Sequence, residues 1–339
     1  MGGIGVALIG CGGIGKVHAE GLRRSPYAEL KVACDLVEAR ARSFVEKFGF
    51  ERFSSNYEEV LKADDVELVI IAVPPKYHAK MTIETLEAGK HVLCEKPMAT
   101  NLKDAKEMLA KARKAGLKLC IDYQNRFLPS HERLKQIVDS GDLGDLIQVR
   151  ARVAYPIMEV LPPDAPMRTW LFNPAIAGGG VLMDIGTHWT DLVRWLIRRE
   201  YESIYALLGH FDVRIPGDVE DTAAFLCRME GDLQAVVDVS WAVKKSLWLI
   251  EVYGSEGTAM ANLPGGLLVY HKEQDDWRSI KVPEGEEPHA KLIRLFLKSI
   301  VEDSEPPVTG EDGYKSLEAV MAAYQSAKLK REISLPLDL

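Results

Sequence analysis

The sequence lacks the features that mark membrane, secreted and nucleic-acid-binding proteins. No apolar run approaches the roughly 20 residues that a membrane-spanning helix needs. The net charge is −8, and there is no basic stretch to follow a phosphate backbone, so neither a membrane nor a nucleic acid is an expected partner. The first residues lead directly into an apolar run without the charged segment of a signal peptide. We therefore expect a cytoplasmic protein.

Cysteine is scarce and scattered. The five cysteines stand singly, and most lie in or beside apolar runs, where a free thiol behaves as a small hydrophobic residue. They are Cys11, Cys34, Cys94, Cys120 and Cys227. No two have the spacing of metal ligands, and the odd number argues against a set of disulfides. We expect buried, reduced thiols.

The remaining composition is that of a globular protein, 47% hydrophobic and 27% charged, in a chain of 339 residues, a length typical of two domains. In the first third, short apolar runs alternate with amphipathic stretches that end on glycine. The runs at 4–10, 30–35, 68–74, 91–95 and 117–122 favour strands, and the stretches at 37–48, 77–88 and 102–115 favour helices. Strands apolar on both faces and separated by helices predict an α/β fold with a parallel sheet covered on both sides.

After about Tyr123 the pattern changes to alternating polar and apolar residues. Such runs lie at 146–154, 203–211, 222–229, 233–241, 247–253 and 267–270. They predict a largely antiparallel sheet with one face exposed to water or to a partner. Helices are predicted at 130–139, 289–301 and 314–330. We place the first domain at residues 1–123 and the second at residues 124–339.

A glycine-rich loop follows the first strand and opens a helix. It has the pattern G-x-G-x-x-G and comprises Gly10, Cys11, Gly12, Gly13, Ile14 and Gly15. Glycine permits the tight turn and the close approach of backbone to a pyrophosphate, and a helix N-terminus attracts phosphate. Asp35 ends the second strand at close to the separation of about 20 residues expected of the acid that binds the ribose hydroxyls. This context argues against an ordinary turn and favours NAD. NADP is not excluded, because Arg40 is nearby.

The stretch at 182–197 predicts a helix with an apolar stripe on one face. On the opposite face Asp184, His188, Asp191 and Trp195 are spaced to lie over one another. Carboxylates one turn to either side of an imidazole can orient it and raise its basicity. The same pattern would suit a solvated helix face, or a metal site if another ligand joined it. No further ligand stands at motif spacing, so we predict no metal.

Lys96 follows a predicted strand, at the sheet edge where open α/β folds bind ligands. Alone it could be a surface lysine before a proline turn. The run around it at 88–97, however, resembles the Gfo/Idh/MocA oxidoreductases, a family named after glucose–fructose oxidoreductase, inositol dehydrogenase and a rhizopine-catabolism protein. The glycine loop and the motifs at 72–78, 125–127, 141–144, 178–188, 219–221 and 254–258 extend the resemblance over nearly the whole chain.

The resemblance implies a Rossmann domain followed by an α/β domain built on a large, open, mostly antiparallel sheet. In this family the exposed face of that sheet commonly forms the oligomer contact, so we expect a homodimer or homotetramer. It also implies that Lys96, Asp184 and His188 form the catalytic group and that the Lys96-Pro97 bond is cis. Cofactor contacts are expected from the loop glycines, Ile14, Asp35, Pro74, His78, Glu95 and Lys96.

Together these features predict an NAD-dependent dehydrogenase that acts on a hydroxyl of a sugar, inositol or related polyol. Hydride transfer requires removal of the hydroxyl proton, which suits His188 as the general base. Lys96 would stabilise the developing alkoxide, and Asp184 would position the substrate and the imidazole. Substrate contacts are expected from Lys96, Arg126, Tyr155, Arg168, Trp170, Asn173, Asp184 and His188.

Two other functions are compatible with the resemblance. Some relatives are glycosidases that hold NAD tightly and oxidise their substrate only transiently. Others have lost catalysis and act as regulators that sense a cofactor. The presence of Lys96, Asp184 and His188 together argues against the regulator.

Overall fold

The structure is a computed structural model, and it describes residues 3–216, 219–262 and 266–338. The chain forms two compact units. The first consists of Met1–Phe127 and Glu286–Tyr314, and the second of Leu128–Gly285 and Lys315–Leu339. The predicted boundary after residue 123 lies close to the end of the first unit's first segment. The first unit also contains residues 286–314, which a single boundary does not separate from the second unit.

The first unit is built on a six-stranded parallel sheet in the order β3-β2-β1-β4-β5-β6. The strands are β1 (Ile4–Ile9), β2 (Ala28–Cys34), β3 (Arg52–Ser54), β4 (Leu68–Ile71), β5 (His91–Cys94) and β6 (Leu119–Ile121). The strand order reverses between β1 and β4, so a crevice forms outside the carboxyl ends of these strands, where open α/β sheets bind ligands.

Helices separate these strands. They are α1 (Gly13–Arg24), α2 (Glu38–Phe48), α3 (Tyr57–Leu61), α4 (His78–Glu87) and α5 (Leu102–Ala115). The central strands are buried along their whole length, which is why they read as continuous apolar runs. All five predicted strands are present, with ends shifted by a few residues. The short β3 and α3 were not predicted.

The second unit contains a nine-stranded sheet in the order β14-β13-β12-β11-β7-β10-β9-β8-β15. Its strands are β7 (Leu146–Ala154), β8 (Tyr201–Gly209), β9 (Thr222–Met229), β10 (Leu233–Ser240), β11 (Leu247–Gly254), β12 (Gly257–Asn262), β13 (Gly266–His271), β14 (Asp276–Ser279) and β15 (Ile333–Ser334). Among the strand pairs of this sheet that the structure describes, β7 and β10 alone are parallel. The predicted, mostly antiparallel sheet is confirmed, and β12, β14 and β15 are additional.

The other helices are α6 (Pro129–Ser140), the short α7 (Ile157–Val160), α8 (Arg168–Leu171) and α9 (Pro174–Ala177), then α10 (Thr187–Ile197), α11 (Pro288–Val301) and α12 (Gly310–Leu329). Helix α11 packs on α1 in the first unit: a Cβ added to Gly21 would lie 2.9 Å from Ile293 Cδ1. The apolar face of α11, which includes the buried Ile293 and Phe296, explains why this segment joins the first unit.

Two expectations from composition can be compared with the structure. All five cysteines are buried free thiols, as expected. Within the described part of the chain, no helix combines the length and the apolar character needed to cross a membrane.

Candidate functional site

The glycine loop joins β1 to α1. Gly10 has φ of +106°, and a Cβ added there would lie 2.1 Å from the carbonyl oxygen of Ala72. A Cβ on Gly15 would lie 2.0 Å from the carbonyl oxygen of Gly10. Gly12 and Gly13, in contrast, face open space. The N-terminus of α1 has no side-chain cap and no acidic residue in its first turn, so its N–H groups suit an anion such as a pyrophosphate.

Asp35 lies beside this loop at the end of β2. One carboxylate oxygen accepts a hydrogen bond from the backbone N–H of Cys11, at 2.9 Å. The other accepts one from the N–H of Val37, at 2.8 Å. The carboxylate is thereby held next to the loop, where it can accept hydrogen bonds from ribose hydroxyls and would repel a 2′-phosphate.

Pro74 and His78 belong to the connection between β4 and α4. The His78 ring is fully buried, and its nitrogens lie 2.7 Å from the carbonyl oxygens of Val73 and Pro97. Burial lowers the pKa of His78. The imidazole lies between the Pro74 loop and the turn that contains Lys96. A contact of His78 with the cofactor stays a prediction.

Lys96 stands directly after the buried Glu95, which follows the end of β5. Its side chain is half-buried, while Glu95 and Pro97 on either side are buried. The Lys96-Pro97 peptide bond is cis, as expected. Glu95 is 7% exposed and accepts a hydrogen bond from His18, with 2.9 Å between Nε2 and Oε1. A contact of Glu95 with the cofactor stays a prediction. Within the protein, its carboxylate is paired with His18.

Arg126 lies in a 3₁₀ turn, Gln124–Phe127, that follows β6. It is 4% exposed, and its guanidinium forms an ion pair with Asp312 at 3.2 Å. This pair lies within the first unit. Substrate contact by Arg126 stays a prediction.

In the second unit, the predicted helix at 182–197 consists of a π-helical turn, Leu182–Gly186, followed by α10. Such turns widen a helix and often occur at functional sites. Asp184 and His188 are half-buried, whereas the residues beside them are buried. The prediction that Asp191 shares their open face is wrong. Asp191 is 1% exposed, 3.5 Å from the Ser316 hydroxyl of α12, because α12 covers this side of the helix.

The half-buried carboxylate of Glu220 accepts hydrogen bonds at the start of the π-helical turn. The Glu220 side chain accepts hydrogen bonds from the N–H groups of Gly180 and Leu182, both at 3.0 Å, and from the Tyr324 hydroxyl at 2.7 Å. Burial raises the pKa of Glu220, and these three hydrogen bonds oppose that rise. Glu220 thus satisfies N–H groups at the start of the segment that carries Asp184, as a cap does for an ordinary helix.

Tyr155, Arg168 and Trp170 lie in the second unit, after β7. Burial, and then the carboxylate of Asp184, raise the pKa of Tyr155. The Arg168 guanidinium donates to the carbonyl oxygens of Leu161 and Met158, so it supports its own loop. Trp170 is half-buried.

Asn173 also has a structural role. Its side-chain oxygen caps α9 by accepting a hydrogen bond from the N–H of Ala175, at 3.0 Å. An Asn directly before Pro174 is a recognisable cap signal. A substrate contact by Asn173 stays a prediction.

Several residues that build the site were not singled out from the sequence. They are His18, Asp122, Glu220, His289 and Tyr324. Each is a single polar residue whose partner is distant in the sequence, and no local spacing predicts such a pair. The motif at 219–221 contributes to the family resemblance, but it does not predict a role for Glu220.

Comparison with known proteins agrees with this geometry. Residues 4–123 match the family model described as "Oxidoreductase family, NAD-binding Rossmann fold", and residues 131–260 match "GFO/IDH/MocA C-terminal domain". The chain is 30% identical to myo-inositol 2-dehydrogenase of Thermotoga maritima, with 97% of this chain and 98% of the relative covered. It is 29% identical to an uncharacterized oxidoreductase, YrbE, of Bacillus subtilis, with 97% and 95% covered.

Two solved structures share the fold over their whole length. An oxidoreductase domain protein from Kribbella flavida has a TM-score of 0.90 at 26% identity and covers 99% of this chain and 100% of its own. A levoglucosan dehydrogenase in complex with NADH and L-sorbose has a TM-score of 0.91 at 24% identity and covers 100% of both chains. The first unit is accordingly an NAD-binding Rossmann domain.

Replacing Asp35 tests the assignment of the ribose site. We expect Asp35→Ala to weaken NADH binding by about tenfold to a hundredfold, because a hydrogen bond to a charged group contributes about 1.5–3 kcal/mol. The discrimination against NADPH should fall in parallel. Fluorescence titration with both nucleotides measures this. Glu46→Ala, at an exposed position of α2, is the matched control. Equal NADH affinity of wild type and Asp35→Ala would remove Asp35 from this role.

Replacing Tyr324 tests whether its hydrogen bond to Glu220 stabilises the segment that carries Asp184. Tyr324→Phe removes one hydrogen bond to the Glu220 carboxylate, so the free energy of unfolding should fall by about 1–3 kcal/mol. Urea unfolding measures the change. Tyr77→Phe, at a residue that is 44% exposed, should stay within about 0.5 kcal/mol of wild type. A Tyr324→Phe protein as stable as that control would show that the contact does not anchor the segment.

Proposed function

Because the chain belongs to the Gfo/Idh/MocA family of oxidoreductases, we propose that it transfers a hydride between NAD and a hydroxyl-bearing carbon of a sugar, inositol or related polyol. The observation that carries the proposal is the half-buried Lys96 at the carboxyl edge of the Rossmann sheet, beside the loop fixed by His78. The substrates named for the relatives, myo-inositol and levoglucosan, support this substrate class.

We assign the chemistry to Lys96 of the first unit and to Asp184 and His188 of the second. NAD, when bound, supplies the hydride acceptor or donor. His188 takes the proton of the substrate hydroxyl, and Lys96 donates a hydrogen bond to the same oxygen and stabilises its developing charge. Asp184 orients the substrate and the imidazole, and the nearby Tyr155 hydroxyl adds a further polar contact.

The remaining substrate contacts are proposed from side-chain chemistry. Trp170 offers an aromatic face for the C–H edges of a sugar ring, and Arg126 and Arg168 offer donors for its hydroxyls. Both arginines already have protein partners, which would hold their guanidinium groups in one orientation. Sugar recognition by such fixed donors loses little side-chain entropy on binding.

Lys96→Ala tests the proposal. We expect kcat to fall by at least about a hundredfold, because a donor to the developing oxyanion is lost, with NADH affinity close to that of wild type. NADH formation is followed by absorbance with polyols, inositols, aldoses and sugar nucleotides, first with NAD and then with NADP. Lys106→Ala, an exposed lysine of α5, is the control. A Lys96→Ala enzyme with near-native turnover would exclude this role of Lys96.

The same panel separates the dehydrogenase from the glycosidase. Net NADH formation that disappears in Lys96→Ala supports the dehydrogenase. Silence over the whole panel, with NAD retained in the purified protein and a released sugar from glycoside substrates, would instead support transient oxidation within a hydrolytic cycle.

We also propose that the chain forms a homodimer or homotetramer through the open face of the nine-stranded sheet. Tyr205 and Leu226 are cross-strand neighbours on this face, and Leu226 and Leu207 are 57% and 66% exposed. Contiguous exposed apolar residues on a sheet face are typical of a protein interface. Gln148, Arg150 and Arg228 add polar groups on the same face, as expected for an interface that also forms hydrogen bonds.

Leu226→Glu tests the interface. A charge buried in an apolar contact is costly, so we expect the variant to be a monomer at concentrations at which the wild type is an oligomer. Light scattering coupled to size-exclusion chromatography measures the mass. Leu329→Glu introduces the same change at the exposed end of α12 and should keep the wild-type mass. An unchanged mass for Leu226→Glu would place the interface elsewhere.

A further inference from the structure

Four ionisable side chains from four separate elements meet in the first unit. His18 comes from α1, Glu95 and Asp122 follow β5 and β6, and His289 comes from α11. His18 and Asp122 are 0% exposed, and the side chain of His289 is 13% exposed. Glu95 directly precedes Lys96, so this buried cluster is covalently adjacent to the lysine to which we assign catalysis.

The cluster is connected by short contacts. His18 Nε2 lies 2.9 Å from Glu95 Oε1 and 3.5 Å from Asp122 Oδ2. His289 Nδ1 lies 2.8 Å from the same Asp122 oxygen. The other oxygen of Glu95 accepts a hydrogen bond from the backbone N–H of Lys96, at 3.2 Å. A continuous path of hydrogen bonds and ion pairs thus runs from His289 to the backbone of Lys96.

These residue types also bind metals, and their ligand atoms lie within 4.8 Å of one another. Two ligands that share one tetrahedral cation with bonds of about 2.0–2.2 Å lie roughly 3.3–3.5 Å apart. The two histidine–carboxylate contacts, at 2.8 and 2.9 Å, are shorter and have the length of charge-assisted hydrogen bonds. A proton between each histidine and its carboxylate fits this geometry better than a metal ion.

The charges balance when protons are shared in this way. Burial lowers the pKa of His289, but attraction to Asp122 outweighs it and raises that pKa to about 9. Burial raises the pKa of Asp122, but the neighbouring His289 outweighs it, and the pKa of Asp122 is lowered. Burial and then Asp122 raise the pKa of Glu95. Near neutral pH His289 and Asp122 therefore form an imidazolium–carboxylate pair.

We propose that His289 and Asp122 are positioning residues that hold the Glu95-Lys96-Pro97 turn, and with it the Lys96 side chain, in the geometry required for turnover. This inference rests on the proposed function of Lys96. Neither residue is placed in contact with substrate: each acts through His18 and Glu95. Loss of the positive charge on His289 would leave Asp122 as an uncompensated buried charge, and the turn would gain freedom.

Hydrogen–deuterium exchange measured by mass spectrometry tests the structural half of the proposal without any turnover. In His289→Leu and Asp122→Asn, the peptide that contains Lys96 should exchange faster than in wild type, because its N–H bond to Glu95 is weakened. His289→Asn, which keeps a neutral donor toward Asp122, should lie between. Lys298→Gln, on the same helix but paired with Glu302, should exchange as wild type does.

Steady-state kinetics tests the catalytic half. Because a misplacement of about 1 Å can cost up to about a hundredfold, we expect His289→Leu to lower kcat by about tenfold to a hundredfold, with NADH affinity unchanged. The folded pKa of His289 lies above its ordinary value of 6.5, so its contribution is complete below pH 6.5 and is lost as pH rises through about 9. Wild-type kcat should fall over that range, and His289→Leu should lack this part of the fall.

The two experiments distinguish the possible outcomes. Faster exchange with unchanged kcat would make the cluster merely structural and overturn the positioning role. Unchanged exchange in both His289→Leu and Asp122→Asn would overturn the proposal altogether. Stoichiometric metal that co-purifies with wild type and is lost from Asp122→Asn would replace it by a metal site. If Lys96→Ala retained turnover, the proposed function would fail, while the exchange data would still decide whether the cluster holds the turn.

Discussion

A fully buried carboxylate at the end of β6 imposes a constraint on the whole first unit. Desolvating an ionised carboxylate costs several kcal/mol unless a charge and hydrogen bonds compensate it, and Asp122 is 0% exposed. Its compensating charge is His289, which belongs to a segment far along the chain. The pairing gives a physical reason, beside the apolar packing of α11 on α1, why residues 286–314 join the Rossmann unit. The same cluster joins the ends of β5 and β6, because His18 contacts both Glu95 and Asp122.

The second unit also uses a carboxylate to hold a backbone segment. A π-helical turn interrupts the regular i to i−4 hydrogen bonds of a helix, and its first N–H groups need acceptors. Glu220 supplies them, and Tyr324 holds Glu220 in turn. In both units a carboxylate therefore accepts a hydrogen bond from the backbone close to a residue that we assign to catalysis: Glu95 from Lys96, and Glu220 from the segment that carries Asp184.

Much of this architecture could be predicted from the sequence because its signals are local. Strands buried on both faces appear as continuous apolar runs, and the glycine loop, Asp35 and Lys96 occupy fixed offsets from those strands. The elements that were not predicted lack such signals. Strand β12 is formed largely of small residues, and β14 is exposed along its whole length, so neither shows a clear alternation. Helical spacing places Asp191 on the face opposite the apolar stripe, but it cannot predict that α12 covers this part of the helix. The partners of Asp122 and Glu220 lie too far away in sequence for any local pattern to reveal them.

The contrast between local and distant signals bears on where specificity resides. The glycine loop and the Lys96 turn are encoded by short motifs, and under the proposed function they serve hydride transfer at any suitable hydroxyl-bearing carbon. The side chains that would recognise one sugar, Tyr155, Arg168 and Trp170, follow β7 in a region of short helices held by backbone contacts such as those of Arg168. Such loops can change in sequence without disturbing either sheet. Under the proposed function, the identity of the substrate therefore depends on these loop residues, while the reaction depends on Lys96, Asp184 and His188.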